Sequence, residues 1–429
     1  MSSTLTTPIA APPIPARARQ GPVVVALGAD GSHVLQTAAA LTPVIGERVH
    51  VFSVVEPLSA EILGGEPVIL PAAFEEECRA ERVEHVAARV ADAAGPGHCW
   101  QMEIETGEPA AEIARRAREL DASLIVMGIG THKPIDRLFA GETTLRVIRR
   151  VSCPVLAVAD ALDHTPREVI VGTDFSPESA LAAESAAALL QPGATVRLVH
   201  VWEPSSSSNQ ELLAIESRYA QSLPKRFDRL AAALQLPAGV SVAFETREGK
   251  TVPQLLQSAE AHHADMIVAG RHGLSRVARI FIGSVTTAIV RGASCAVLVT
   301  PEADFAQLDR WQRVLMGTSA TSSPTDWPRQ LEEFTRRNRG RRTALEVDDP
   351  SIGAQMQETG YALLGASYDP HDSRAELMLG LPLANAPHLT RSIGKVDAIA
   401  VLSSPTGEDL GLRIAHGDGQ TLLTFPSGA

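Results

Sequence analysis

Cysteine is scarce in this 429-residue chain: Cys78, Cys99, Cys153 and Cys295 are the four, and no two stand as C-x-x-C. That scatter excludes a disulfide framework and the common zinc and dithiol redox motifs, and it suits a reducing compartment, the cytoplasm. Long apolar runs are missing as well. No stretch approaches the roughly 20 residues a membrane-spanning helix needs, so no membrane partner is expected. The opening MSSTLTTPIAAPPIPARARQ, residues 1–20, lacks a secretory apolar core and reads as a disordered lead, although its Ser/Thr content and two arginines weakly mimic a transit peptide. Positive charge is in deficit. A net charge of -12 and a pI near 5.6 argue against nucleic acid or anionic membrane as the main partner and leave a small anionic ligand open.

What the chain does have is apolar residues, 45% against 21% charged. At this length they fill two to four cores rather than one. Gly107 matches Gly249, Gly128 matches Gly270, Gly141 matches Gly283 and Cys153 matches Cys295, each pair 142 positions apart, which marks a duplication. Within each repeat short apolar runs alternate with longer amphipathic stretches. The predicted strands are 23–27, 49–55, 100–105, 123–127 and 154–158 in the first repeat, and 168–172, 195–202, 240–245, 265–269 and 295–299 in the second. Helices fill the gaps, for instance Ser179–Leu190 and Glu211–Leu234. The fold class is α/β: two tandem, doubly wound, five-stranded parallel-sheet domains at 21–160 and 165–301. Such sheets bind ligands beyond the carboxyl ends of their strands, where strand order reverses.

After Pro301 the pattern changes to a Ser/Thr/Pro-rich linker (Thr318–Pro328), a helix over Pro328–Arg337, and strands at 343–347, 361–368, 375–379, 397–402, 410–414 and 420–425. His416-Gly417-Asp418-Gly419 reads as a hairpin turn. Residues 325–429 are therefore a small, mostly β, α+β domain. Val314–Thr318 faintly echoes Val169–Thr173, but no glycine-rich loop follows, so there is no third repeat.

The chemistry concentrates in the second repeat. Gly270-Arg271-His272-Gly273, nine residues, then Gly283-Ser284 lie between the strand ending at Ala269 and a helix beginning near Val285. Glycines let backbone approach a bulky anion, and a helix N-terminus presents unpaired N–H groups to phosphate. Ser284 can donate to phosphate or serve as an ordinary N-cap. Arg271 and His272 can screen phosphate charge or simply be solvated. Asp174, in Val169-Ile170-Val171-Gly172-Thr173-Asp174-Phe175-Ser176, ends the first strand of this repeat, where a carboxylate can accept from ribose hydroxyls; Asp174 and Ser176 can also cap the next helix.

These residues resemble the nucleotide-binding branch of the universal stress protein family, over residues 20–160 and 165–301, with its G-x-x-G, nine residues, G-S/T motif met at Gly270, Gly273, Gly283 and Ser284. The resemblance implies that Asp174 and the backbone near Thr173 hold ribose and adenine, that Val201 packs at the adenine, and that Val285 and Thr286 complete the phosphate end. It implies pairing of Pro154–Val158 with Ala296–Val299 inside one chain, as in a family dimer; whether such chains pair again as a homodimer is open. The last third resembles a small bacterial domain of unknown function at Trp327–Phe334, Leu345–Val347, Gly360-Tyr361 and Leu363–Tyr368; that implies no activity but suits a docking module for an unknown protein partner.

The first repeat departs from the motif. Thr131 replaces the second glycine, Glu142 puts an anion where phosphate would arrive, and Gly28-Ala29 lengthen the turn before Asp30. ATP is expected to be excluded there. Other motifs lead nowhere: Gly249-Lys250-Thr251 has Phe244 where a P-loop needs glycine, and His262-His263 point different ways on a helix. Ser367 lacks the last glycine of a nucleophile elbow, and Arg336–Arg342 reads as a solvated basic helix end. The expectation is an ATP- or adenine-nucleotide-responsive stress protein, with Mg²⁺ able to accompany the phosphates but no protein ligand nameable. No general base or phosphoryl acceptor accompanies the cradle, so no catalytic residue is assigned; a slow or self-phosphorylating ATPase and a non-binding scaffold are the alternatives.

Overall fold

The computed structural model describes residues 21–28, 31–56, 72–129, 142–203, 210–271, 283–301, 307, 310–311, 324–349, 353–380, 388–403, 409–417 and 419–425. The first repeat runs β1 (Val23–Leu27), α1 (Ser32–Ile45), β2 (Val49–Val55), α2 (Ala72–Ala94), β3 (Gln101–Thr106), α3 (Pro109–Glu119), β4 (Leu124–Gly128), α4 (Glu142–Arg150) and β5 (Val155–Val158). The second repeats the order as β6 (Glu168–Gly172), α5 (Pro177–Ala186), β7 (Thr195–Trp202), α6 (Gln210–Ala233), β8 (Ser241–Glu248), α7 (Thr251–Ala261), β9 (Met266–Gly270), α8 (Ser284–Gly292) and β10 (Ala296–Thr300).

The two repeats share one ten-stranded sheet, β3-β2-β1-β4-β5-β10-β9-β6-β7-β8, parallel within each repeat. The expected pairing of the last strands is the joint: β10 runs antiparallel to β5, with Val297 opposite Ala157, Leu298 opposite Leu156 and Val299 opposite Val155. Both strands are wholly buried, as uninterrupted apolar runs such as VLAV and AVLVT require when helices cover both faces. Alternating side chains feed two cores. Leu156, Leu298 and Val171 pack under α1, α2, α5 and α6, while Val155, Val297 and Ile170 pack under α3, α4, α7 and α8.

Local signals set the helix starts. Glu108 accepts from the backbone N–H groups of Ala110 and Ala111 ahead of Pro109, and Ser176 accepts from Ser179 ahead of Pro177. Lys250 stands in the turn before α7. His262 and His263 are not on a helix: α7 ends at Ala261, and His263 takes a left-handed φ of 50° that closes the turn.

The C-terminal region builds a separate seven-stranded antiparallel sheet, β14-β13-β12-β11-β17-β16-β15, from β11 (Arg342–Asp349), β12 (Gly353–Asp369), β13 (Arg374–Gly380), β14 (His388–Ile393), β15 (Val396–Ser403), β16 (Asp409–His416) and β17 (Gly419–Thr424). Helix α9 (Trp327–Asn338) covers one face with Trp327, Leu331 and Phe334. Two pieces escaped the sequence reading: β14, and the polar first half of β12, whose order comes from ladder partners in β11 rather than apolar alternation. The basic run is not merely solvated. Arg337 Nε donates to Asp409 Oδ2 at 2.8 Å, and Arg341 donates to the Asp409 carbonyl at 2.8 Å, tying the end of α9 to β16. His416 pairs with Gly419 around the expected hairpin turn. Residues 1–20 and Val314–Thr318 lie outside the described residues.

A buried residue absent from the sequence reading is Trp311, which is fully enclosed in the core on the α5 side of the sheet. Its indole Nε1 donates to Glu184 Oε2 at 3.0 Å, and Arg310 Nη2 reaches Glu184 Oε1 at 3.0 Å. The segment after β10 is thereby pinned onto α5.

Candidate functional site

Strand β6 pairs with β7 on one side and β9 on the other, so the winding of the second repeat reverses between β6 and β9. Their carboxyl ends flank the crevice such folds use for ligands. Thr173 and Asp174 leave β6 on one side; Gly270 closes β9 on the other.

The β6 turn is tightly fixed. The Thr173 N–H donates to the Val199 carbonyl at 2.9 Å, and Thr173 Oγ1 accepts from the Phe175 N–H at 3.0 Å and shares a 3.1 Å hydrogen bond with Ser179 Oγ. Phe175 holds φ at +59°, a left-handed conformation costing a non-glycine residue about 1–3 kcal/mol. Asp174 Oδ1 accepts from the Ser176 N–H at 3.0 Å, while Ser176 Oγ caps α5 through Ser179. The cap is thus Ser176 alone, and the half-buried Asp174 carboxylate makes its described bond within its own turn.

Beneath this turn lies a relay that the sequence reading missed. His200, at the end of β7, donates from Nδ1 to the Thr173 carbonyl at 2.8 Å, and Tyr219 Oη donates to His200 Nε2 at 2.7 Å. Burial holds the His200 pKa below the usual 6.5, so the imidazole is neutral and its tautomer is set by these two bonds. Burial also raises the Tyr219 pKa above 10.0, keeping the phenol a donor. Phe175 packs on His200 with ring centroids 4.8 Å apart, and the Arg226 guanidinium lies 5.5 Å from the Tyr219 ring centre. The adjacency of His200 to Val201 was visible in the chain; Tyr219 and Arg226, on α6, carried no local signal. Val201 is half-buried on the opposite face of β7.

On the other side, Gly283 is the N-cap of α8 and has no side-chain cap; its N–H donates to the Arg271 carbonyl at 3.0 Å. Ser284 is the first helical residue rather than the cap. Ser284 and Val285 are exposed, whereas Thr286 is buried with its hydroxyl donating to the Gly270 carbonyl at 2.7 Å. That bond ties the start of α8 to the end of β9. His272 and Gly273 lie outside the described residues.

In the first repeat Thr144 makes the corresponding bond to the Gly128 carbonyl at 3.0 Å. There His33 leans over Gly128 so closely that a Cβ on that glycine would come within 2.8 Å of its Nε2. Asp30, Thr131 and Gly141 lie outside the described residues. Among the described residues no cluster of three or more His, Cys, Asp or Glu is arranged to hold a metal, and no helix is long and apolar enough to cross a membrane.

Two doubly wound repeats fused edge to edge through their last strands define a tandem α/β protein. The chain belongs to the universal stress protein family, which matches residues 21–159 and 166–301. A universal stress protein of Mycolicibacterium smegmatis is 24% identical over 244 residues, covering 52% of this chain and 78% of that protein. One from Mycobacterium bovis is 27% identical over 187 residues, covering 42% of this chain. The chain spans 62% of the length of that relative. Among solved structures, a universal stress protein of Archaeoglobus fulgidus aligns at 17% identity and a TM-score of 0.46, over 66% of this chain and 97% of its own. A universal stress protein in complex with cAMP aligns at 25% identity and a TM-score of 0.25, over 32% of this chain and 98% of its own.

Proposed function

We propose that the second repeat binds an adenine nucleotide, ATP or a relative, and that its occupancy is the signal this stress-family protein transmits from the cytoplasm. Asp174 takes the ribose hydroxyls, the Thr173 backbone and Val201 border the adenine, and Gly270, His272, Gly273, Gly283, Ser284, Val285 and Thr286 form the phosphate end. Mg²⁺ accompanies the phosphates without a protein ligand. The observation that carries this reading is the juxtaposition of the Asp174 turn and the Gly270 end of β9 at the switch point between β6 and β9. An uncapped α8 start adds N–H groups suited to anions.

A route for the signal has physical support. Arg413, buried on β16 of the C-terminal sheet, lies 4.0 Å from Glu178 in the first turn of α5, four residues after Asp174. Ligand at the Asp174 turn and docking of the C-terminal sheet therefore bear on the same helix start, and a ligand shifts that contact only by its preference for one state.

Calorimetry of the full chain with ATP, ADP, AMP and cAMP tests the reading. Saturable heat lost in Asp174→Ala and in Gly273→Asp is the expected result; no heat with any adenylate overturns it. Labelled ATP then separates retention of intact nucleotide from steady ADP release.

A further inference from the structure

We infer that Arg149, at the end of α4 in the first repeat, reaches across the joint to hold the phosphates bound by the second repeat. The inference rests on the nucleotide reading above and adds a residue from outside the motif.

The repeats are related by a pseudo-twofold axis through the β5–β10 joint, where Leu156 lies opposite Leu298, its own equivalent 142 positions on. Every contact across the joint should therefore have a mirror image. One such contact is Arg291, in the last turn of α8, 3.5 Å from Glu142, the first residue of α4. Adding or subtracting 142 turns this pair into Arg149 and Ser284. Glu142 is the first repeat's anion at the place where the second repeat offers Ser284 and the open start of α8. The carboxylate acts there as a built-in substitute for a phosphate, and an arginine of the opposite repeat is paired with it.

At the mirror position the arginine is present and the carboxylate is not. Arg149 is exposed, and among the described residues no acid lies within ion-pair distance of it, although its neighbours Arg146 and Arg150 both hold Glu108, at 3.0 and 2.7 Å. A second observation fixes Arg149 beside the site without relying on symmetry. Arg271, which directly follows β9 and opens the glycine loop, donates from Nη2 to the Arg149 carbonyl at 2.6 Å. The backbone of Arg149 is thus one side-chain length from Arg271, the residue that follows β9. A planar guanidinium delivered there matches phosphate oxygens in a fork, and a multiply charged tail supplies the anion that Glu142 supplies on the other side.

The test is calorimetry of full-length wild type, Arg149→Ala, Arg149→Lys and Arg150→Ala with ATP, AMP and adenosine, at fixed salt. Arg149→Ala should weaken ATP about tenfold, AMP less, and adenosine less than about twofold, since one charge-assisted contact to phosphate is removed. Arg149→Lys should recover part of the ATP loss, and Arg150→Ala should bind all three as wild type does. ATP binding unchanged in Arg149→Ala, or equal losses for ATP and adenosine, overturns the inference while leaving the nucleotide reading intact. Wild type silent toward every adenylate overturns both.

Discussion

Leu298 lies directly across the β5–β10 joint from Leu156, its counterpart in the duplicated sequence, and the flanking residues exchange equivalents on either side: Val297 meets Ala157 and Val299 meets Val155. A register centred on a self-equivalent pair places the pseudo-twofold axis through the middle of the sheet. It makes each of the two cores continuous across both repeats.

Leu156→Ala and Leu298→Ala should therefore cost similar amounts. Each removes a side chain with at most 1% exposure from the same core, and each should lower unfolding free energy by roughly 2–5 kcal/mol. Urea melts monitored by circular dichroism measure both. A large loss in one and none in the other would mean the joint is not shared.

Trp311 carries a heavier prediction. Trp311→Ala should lose about 3–5 kcal/mol, because it empties a buried aromatic site and strips a donor from Glu184. Thermal unfolding of the variant checks this; a change within error would place the indole outside the core.

His200 should make stability sensitive to mild acid. Burial depresses its folded pKa below 6.5, so the unfolded chain takes up a proton first, and the contribution of the neutral imidazole is complete above 6.5 and lost as pH falls below it. Urea midpoints of wild type and His200→Gln measured across that range should converge toward acid. Parallel profiles would show that His200 titrates as it does in the unfolded chain.

The thiols should separate by reactivity. Cys99 is exposed, whereas burial pushes the Cys295 thiol up to about 11, leaving little thiolate near neutrality. Brief iodoacetamide treatment and peptide mapping should find Cys99 alkylated and Cys295 spared; the reverse order would mean the β10 entrance opens readily.

Most of the α/β half was legible because both of its signals are local. Apolar runs bounded by glycine and polar turns marked all ten strands of the large sheet, and a repeat distance of 142 disclosed the duplication. The acid two residues beyond β6 and the glycine that closes β9 were legible for the same reason, as each sits at the end of its strand. The sequence reading failed where order is borrowed from a partner. Strand β14 and the polar half of β12 exist because neighbouring backbones complete their hydrogen bonds. The basic run of α9 looked solvated because its acceptor, Asp409, is 72 residues from Arg337. Tyr219 and Trp311 gave no sign of their roles, since hydrophobic periodicity reports that a side chain is inside without saying what it meets.

By itself the sequence determined the ten strands of the large sheet, the duplication, and which repeat keeps the full glycine motif, because those properties depend on residues near one another in the chain. Only the tertiary structure decided that the repeats share one sheet in a symmetric register and that Arg291 of the second repeat pairs with Glu142 at the helix start of the first. Those outcomes depend on strand order and on side chains more than a hundred residues apart, and a separation of that size leaves no local pattern to read.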